Sequence, residues 1–369
     1  MRKLSLFVTL CLVVGLLAGC AGTPVIYYSE CTCPVGSHDV PAATEAPAAT
    51  EAPTETEAPV LTEGALKTGM VISTSIRDSK AATAEAEGEA VYDVTVVAVL
   101  VDDEGIIHDC IIDGVKASVK FDAAGTITTD LTAAPATKNE LGEAYGMVAW
   151  GGAVAEWDAQ AAAVAAACVG KHYGDLKGVV VSESGYAPEG TDLATSATIY
   201  IGGYVNAIEL AAATAQHLGA QTGDELKLAV INGIDGSVSA TEEKEGTAQL
   251  DVNAAAVTFS GETITSCYID SVQAKVNFDT AGAVTTDVNT VPSTKNQLGE
   301  QYGMVAWGGA IAEWNVQAAS FASYVTGKTA ADVAGIAINE ATKPTEADLA
   351  ASVTISIGGF QALIAKAAQ

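Results

Sequence analysis

One segment of this chain is written twice. Residues 137–160 read TKNELGEAYGMVAWGGAVAEWDAQ, and residues 294–317 read TKNQLGEQYGMVAWGGAIAEWNVQ. Identity of that density means duplication, which restricts the fold to architectures built from two equivalent pieces. The register runs back through Ile112-Asp113 against Ile269-Asp270 and Phe121-Asp122 against Phe278-Asp279. It runs forward, after a slip of one residue, to Asp192 and Thr198 against Asp348 and Thr354. So long a period excludes solenoid units, which repeat every few tens of residues. Two domain copies are expected, over residues 65–218 and 219–369, each of ordinary domain size.

Each copy has the same grammar. Alternating β-branched stretches, Val91 to Val101, Ile106 to Ile112 and Ala117 to Phe121 in the first copy, predict half-buried antiparallel strands. Asp102-Asp103-Glu104-Gly105 supplies the turn between the first two. An Ala-rich segment from Lys138 to Val169 predicts helix, broken at Gly151-Gly152 and stopped by Gly170. Ala197 to Ile201 reads as a further strand, and Tyr204 to His217 as a terminal helix. The expected class is α+β, two tandem copies of an antiparallel sheet packed against helices, preceded by a disordered linker.

The N-terminus carries an address. Arg2 and Lys3 precede an apolar run from Leu4 to Leu17 and the small residues Leu17-Ala18-Gly19-Cys20, the order of a secretion signal. That ending resembles the bacterial lipobox, which implies cleavage after residue 19 and a lipid on Cys20. Buried acyl chains contribute roughly 0.8 kcal/mol per methylene, so the lipid would hold the protein at the outer face of the cell membrane. Residues 21–64 follow as a linker, with PAATEAPAATEAPTETEAP from Pro41 to Pro59 too poor in apolar surface to form a core. Cys31 and Cys33 lie within it and read as a strained local pair, a link to another chain or two unpaired thiols.

The net charge of −28 argues against nucleic acid, whose binding depends on Lys and Arg neutralising phosphates. No histidine repeats: His108 stands opposite Thr265 and His172 opposite Thr329. Neither a duplicated His-dependent catalyst nor a metal-ligand cluster is therefore expected. Cys110 and Cys267 do match, within strand-like runs where a thiol packs as a small apolar group.

All four tryptophans fall in matched pairs, Trp150 with Trp307 and Trp157 with Trp314. Tyr145, Met147, Trp150 and Gly151, with Tyr302, Met304, Trp307 and Gly308, are candidate contacts for a flat ring or another ligand. Core packing is the alternative for the same residues. Downstream, Asp192-Leu193-Ala194-Thr195-Ser196-Ala197-Thr198 pairs with Asp348-Leu349-Ala350-Ala351-Ser352-Val353-Thr354. This segment resembles the attachment motif of the FMN-binding domain family, in which an Asp, two variable residues, Ser or Thr, usually Gly, and Ala-Thr precede covalent flavin. The resemblance implies FMN esterified to Thr198 and Thr354 by a flavin transferase, with Asp192, Thr195, Ser196, Asp348 and Ser352 supporting the motif. It also implies a membrane dehydrogenase as electron donor. Ser196 and Ser352 stand where that family usually has Gly, and the second copy also has Ala351 and Val353. A flavin-free surface binding or structural module of the same fold is the alternative expectation. A hydrolase is the weakest, since no nucleophile, base and orienting group recur together.

Overall fold

The computed structural model describes residues 64–369. The expected signal, Cys20, Cys31, Cys33 and the linker up to residue 63 lie outside the described residues. In the first copy β1 (Lys67–Ser75), β2 (Gly88–Val101) and β3 (Ile107–Phe121) form an antiparallel meander. Five helices follow: α1 (Lys138–Leu141), α2 (Met147–Gly151), α3 (Trp157–Cys168), α4 (Asp192–Ser196) and α5 (Gly202–Ala213). The second copy repeats the meander with β4 (Glu225–Gly233), β5 (Gly246–Ser260) and β6 (Thr263–Phe278). Its helices are α6 (Lys295–Leu298), α7 (Met304–Gly308), α8 (Trp314–Val325), α9 (Ala330–Ala334), α10 (Ala347–Ala350) and α11 (Gly358–Ala367). The class is α+β, as expected.

Strand parity decides what each sheet face touches. Along β2, Tyr92, Val94, Val96 and Ala98 face a core shared with Leu250, Val252, Ala254 and Ala256 of β5. Val97, Val99 and Val101 point the other way, against Val164 and Ala165 of α3 and Ile208 and Ala211 of α5. Ala255, Val257 and Phe259 do the same in the second copy, against Phe321 of α8 and Leu363 of α11. The layers are therefore helix, sheet, sheet, helix, and the two copies are joined through the sheet faces that their own helices leave bare. Each fully buried Val or Leu contributes roughly 1.5–3 kcal/mol, so this shared core is a large part of what holds the fold.

Three expectations need correction. The half-buried pattern holds for the first part of β2 only, because from Val96 onward both faces are covered. Ile107–Phe121 is one strand and not two, since Gly114 keeps its place in the ladder opposite Thr95. The terminal helix stops at Ala213, short of His217, because Gln216 leaves it to exchange backbone hydrogen bonds with Thr68 of β1. The break at Gly151-Gly152 is present, with Gly152 at φ 62°.

The seam between copies is reciprocal. Phe121 and Phe278, equivalent residues, stack with centroids 4.0 Å apart and planes 2° from parallel. Ala82 N–H donates to Gly282 O, and Ala240 N–H, its counterpart, donates to Gly125 O, both at 2.8 Å. Gly125 and Gly282 have φ of +69° and +68°, and a Cβ on either would press to 2.5 Å and 2.9 Å from the backbone oxygens of Asp279 and Asp122. Such pairing of each patch with its own copy is the hallmark of an isologous interface. A buried chain of hydroxyls, Thr68, Ser266 and Thr258, also crosses from β1 to β6 and β5. Among the described residues no helix is long and apolar enough to cross a membrane.

Candidate functional site

The two candidate attachment threonines each follow a short helix, α4 or α10, and a buried residue, Ala197 or Val353. Thr191 caps α4 by accepting from Ala194 N–H, and the helix ends at Ser196. Ala197 is buried as a peg, and Thr198 follows in irregular backbone. The expected strand from Ala197 to Ile201 is absent: Ala197 N–H donates to Leu193 O of α4, and the N–H groups of Thr198, Ile199 and Ile201 go to a side chain and a loop, not to a sheet. Gln160 Oε1 accepts from Thr198 N–H at 2.9 Å, from Ile199 N–H at 3.3 Å and from Thr198 Oγ1 at 3.4 Å. Gly185 O accepts from Ile201 and Gly202. Gln160 is fully buried on α3, and its Nε2 donates to Ala155 O at 2.7 Å.

In the second copy Gln317 Oε1 accepts from Thr354 N–H at 2.8 Å and Thr354 Oγ1 at 3.2 Å, and its Nε2 donates to Ala312 O. The glutamine is thus the part that fixes each threonine, and sequence reasoning missed it. The signal was there: Gln160 and Gln317 are polar residues repeated at the buried face of an Ala-rich helix. Thr198 is exposed and Thr354 half-buried. The supporting hydroxyls bond to nearby backbone, with Thr195 Oγ1 donating to Asp192 O at 2.7 Å and Ser352 Oγ to Leu349 O at 3.3 Å. Asp192, Asp348 and Ser196 are exposed.

The copies differ beside these threonines. In the first, exposed Tyr200, two residues beyond Thr198, meets exposed Tyr186 edge to face at 5.6 Å. In the second, Thr342 and Ser356 take that place and hydrogen bond to each other.

The tryptophans separate into two classes. Trp157 and Trp314 are core, with Trp157 Nε1 donating to Tyr204 OH at 3.0 Å and Trp314 packed edge to face on Phe360. Trp150 and Trp307 are 91% and 90% exposed, which overturns core packing for that pair. Each lies over a left-handed glycine, Gly146 or Gly303, where a Cβ would stand 2.4 or 2.3 Å from the indole. Glu156 fixes this knuckle by accepting from Met147 N–H at 2.7 Å and Val148 N–H at 3.0 Å, and Glu313 repeats both bonds. Gly151 and Gly308 are exposed beside the indoles, while Tyr145, Met147, Tyr302 and Met304 are half-buried against the helix cores.

Behind the knuckle sits a lysine. Lys138 Nζ lies 4.9 Å above the Trp157 ring and 3.2 Å from Asp93 Oδ1. Lys295 lies equally 4.9 Å above Trp314, and burial holds its ammonium below the usual lysine range. Asp113 and Asp270 are buried carboxylates accepting from Asn139 and Asn296 N–H at 3.1 Å. Burial pushes Asp113 upward and Asp270 up to about 6. The thiols are inert by the same cause: burial lifts Cys168 and Cys267 to about 12 and Cys110 well above its ordinary value, so they stay protonated. No protein-family model matches the chain, and neither does any curated protein or solved structure.

Proposed function

We propose that the chain is a lipid-anchored carrier at the outer face of a bacterial membrane, with FMN joined through a phosphoester to Thr198 of its first copy and Thr354 as the corresponding second position. The observation that carries this reading is the glutamine latch. It presents a threonine hydroxyl at the same place in both copies, outside the packed core, on backbone that Gln160 or Gln317 holds still. At Thr198 the residues fit the group better: the residue is exposed, and Tyr200, two residues on, offers aromatic surface together with Tyr186, on which it packs edge to face. At Thr354 the fit is poorer, because the hydroxyl is half-buried and Thr342 and Ser356 replace the aromatic pair. Bound FMN would supply one- and two-electron redox chemistry. The protein's part is to hold the attachment residue, and the long linker keeps the lobes at high effective concentration near a membrane dehydrogenase.

A flavin transferase would make the ester, and its co-expression gives the test. Flavin fluorescence should stay with the denatured polypeptide, fall in Thr198→Ala by more than half, and vanish in the Thr198→Ala, Thr354→Ala double variant. Polypeptide free of flavin in this experiment overturns the carrier reading. It favours instead a flavin-free binding module, for which the exposed Trp150 and Trp307, flanked by exposed Val148, Val154, Val305 and Ile311, are the supporting observation.

A further inference from the structure

The exposed indoles sit in a stretch that both copies keep letter for letter. Val148-Ala149-Trp150-Gly151-Gly152 and Val305-Ala306-Trp307-Gly308-Gly309 are exposed at every residue. Surfaces around them have changed: exposed Glu140 and Ala144 are answered by Gln297 and Gln301. The groove between β3 and α3 and its counterpart between β6 and α8 have diverged too, with Asp158 answered by Asn315 and Ile111 by Tyr268. Gly151 and Gly152 leave open space beside the indole, since a Cβ on either would meet nothing within 4 Å. Each copy thus presents an uncharged ledge carrying one tryptophan, and aromatic surface of this kind receives proline-rich segments.

Such a segment precedes the lobes. Between Pro41 and Pro59 proline recurs every sixth residue, at Pro41, Pro47, Pro53 and Pro59. Wound as a polyproline helix of about three residues per turn, the segment would carry these prolines on one face with Thr44, Thr50 and Thr56. Glu45, Glu51 and Glu57 would fall on a second face and Glu55 on the third. The proline and threonine face is free of charge, so it can approach a protein of net charge −28. Reach selects the ledge. Gly64 and Ala65 line one pocket with Asp102, Asp103 and Glu104 of the turn between β2 and β3. The end of α3 is bonded to the same place, through Ile107 N–H to Lys171 O and Tyr173 N–H to Gly105 O. At its other end the N-cap Glu156 holds the ledge of Trp150. The separation is therefore about the length of α3, 12 residues or roughly 18 Å. At about 3.1 Å per residue, Pro59 stands roughly 16 Å and Pro53 roughly 34 Å back along the chain from Gly64, which brackets it. In the second copy the matching turn, at Gly261 and Glu262, meets Ala368 and Gln369 instead.

We propose that residues 53–59 of this same chain dock on the ledge of the first copy as a polyproline helix, with Pro53, Thr56 and Pro59 against Trp150 and the carboxylates outward. This rests neither on the flavin reading nor on a lipid at Cys20. So small a contact is weak, but a tethered segment acts at an effective concentration on the order of millimolar, so millimolar affinity keeps it docked about half the time. The test reads the four indole N–H resonances of the full chain by NMR, assigned with Trp150→Phe and Trp307→Phe. Thr56→Glu places a carboxylate on the docking face, whereas Thr54→Glu adds the same charge to the face that already carries Glu51 and Glu57. Thr56→Glu and the Pro53→Ala, Pro59→Ala pair should each shift the Trp150 resonance in the same direction and leave those of Trp157 and Trp314 in place. Thr54→Glu should move none of the four. All these changes lie outside residues 64–369, so the lobes keep their fold. The proposal is overturned if Trp150 is indifferent to Thr56→Glu, if Thr54→Glu moves it equally, or if Trp307 responds in its place. A shift that depends on protein concentration also overturns it, since docking would then join two chains.

Discussion

The two copies agree at their seam, their buried glutamines and their protruding indoles, and disagree in their grooves and beside the threonines. The stacked Phe121 and Phe278, the reciprocal bonds at Gly125 and Gly282, the buried glutamines and the indoles seated on Gly146 and Gly303 are the same in both halves. The grooves and the surface beside the threonines are not: Tyr186 and Tyr200 become Thr342 and Ser356, and Asp158 becomes Asn315. The difference teaches that one scaffold serves two surfaces. What the halves share includes the packing that joins them, and what separates them lies in the grooves and on the surface beside the threonines.

Paired substitutions can break that division. Phe121→Ala and Phe278→Ala should each destabilise by about 3–5 kcal/mol, the range for large aromatic truncations in a core. Because the rings touch, the double variant should cost clearly less than the sum, and urea melts of the three proteins measure it. A large inequality between the single variants would mean that the seam is not symmetric in energy.

The buried aspartates sharpen the comparison next. Asp270 has a folded-state value of about 6, against about 3.9 in an unfolded chain, so between these the folded state binds the extra proton. The contribution of Asp270 to stability should therefore be full below about pH 4 and be lost, by up to about 3 kcal/mol, as pH rises through 6. Asp270→Asn keeps an oxygen for the Ser271 and Asn296 N–H groups and should flatten this slope in pH-dependent melts. Asp113→Asn should do likewise, since burial raises Asp113 in the same direction. The smallest of these effects belongs to the latch. Gln160→Leu and Gln317→Leu each strand backbone groups and should cost about 2 kcal/mol, with faster amide exchange around Thr198 or Thr354 as the local readout. If only one copy responds, the latch is not a shared part of the scaffold.

Much of this was legible in the sequence, and the rest failed for identifiable reasons. Duplication, the class, the turn at Asp102 to Gly105 and the helix break at Gly151-Gly152 are local signals, carried by identity, alternation and glycine. The first strands, Lys67–Ser75 and Glu225–Gly233, went unread, and the Ala197 to Ile201 segment read as strand because its residues favour extension. Whether such a stretch joins a sheet depends on a partner far along the chain, here Gln160, which claims its N–H groups first. Trp150 and Lys138 invert the usual rule, the indole outside and the ammonium inside. The indole is held out by a left-handed glycine and a carboxylate cap, and the lysine is drawn in by an aromatic ring and Asp93. Neither arrangement can be seen from residue type alone.

The seam has an evolutionary consequence. Two bonds that swap ends between equivalent residues give one polypeptide the kind of seam that joins the subunits of a homodimer, and either half alone would lie open along an oily face. Fusion also ends the obligation of a homodimer to change both subunits at once. After it, one half is free to retool its cleft while its twin continues to brace the structure.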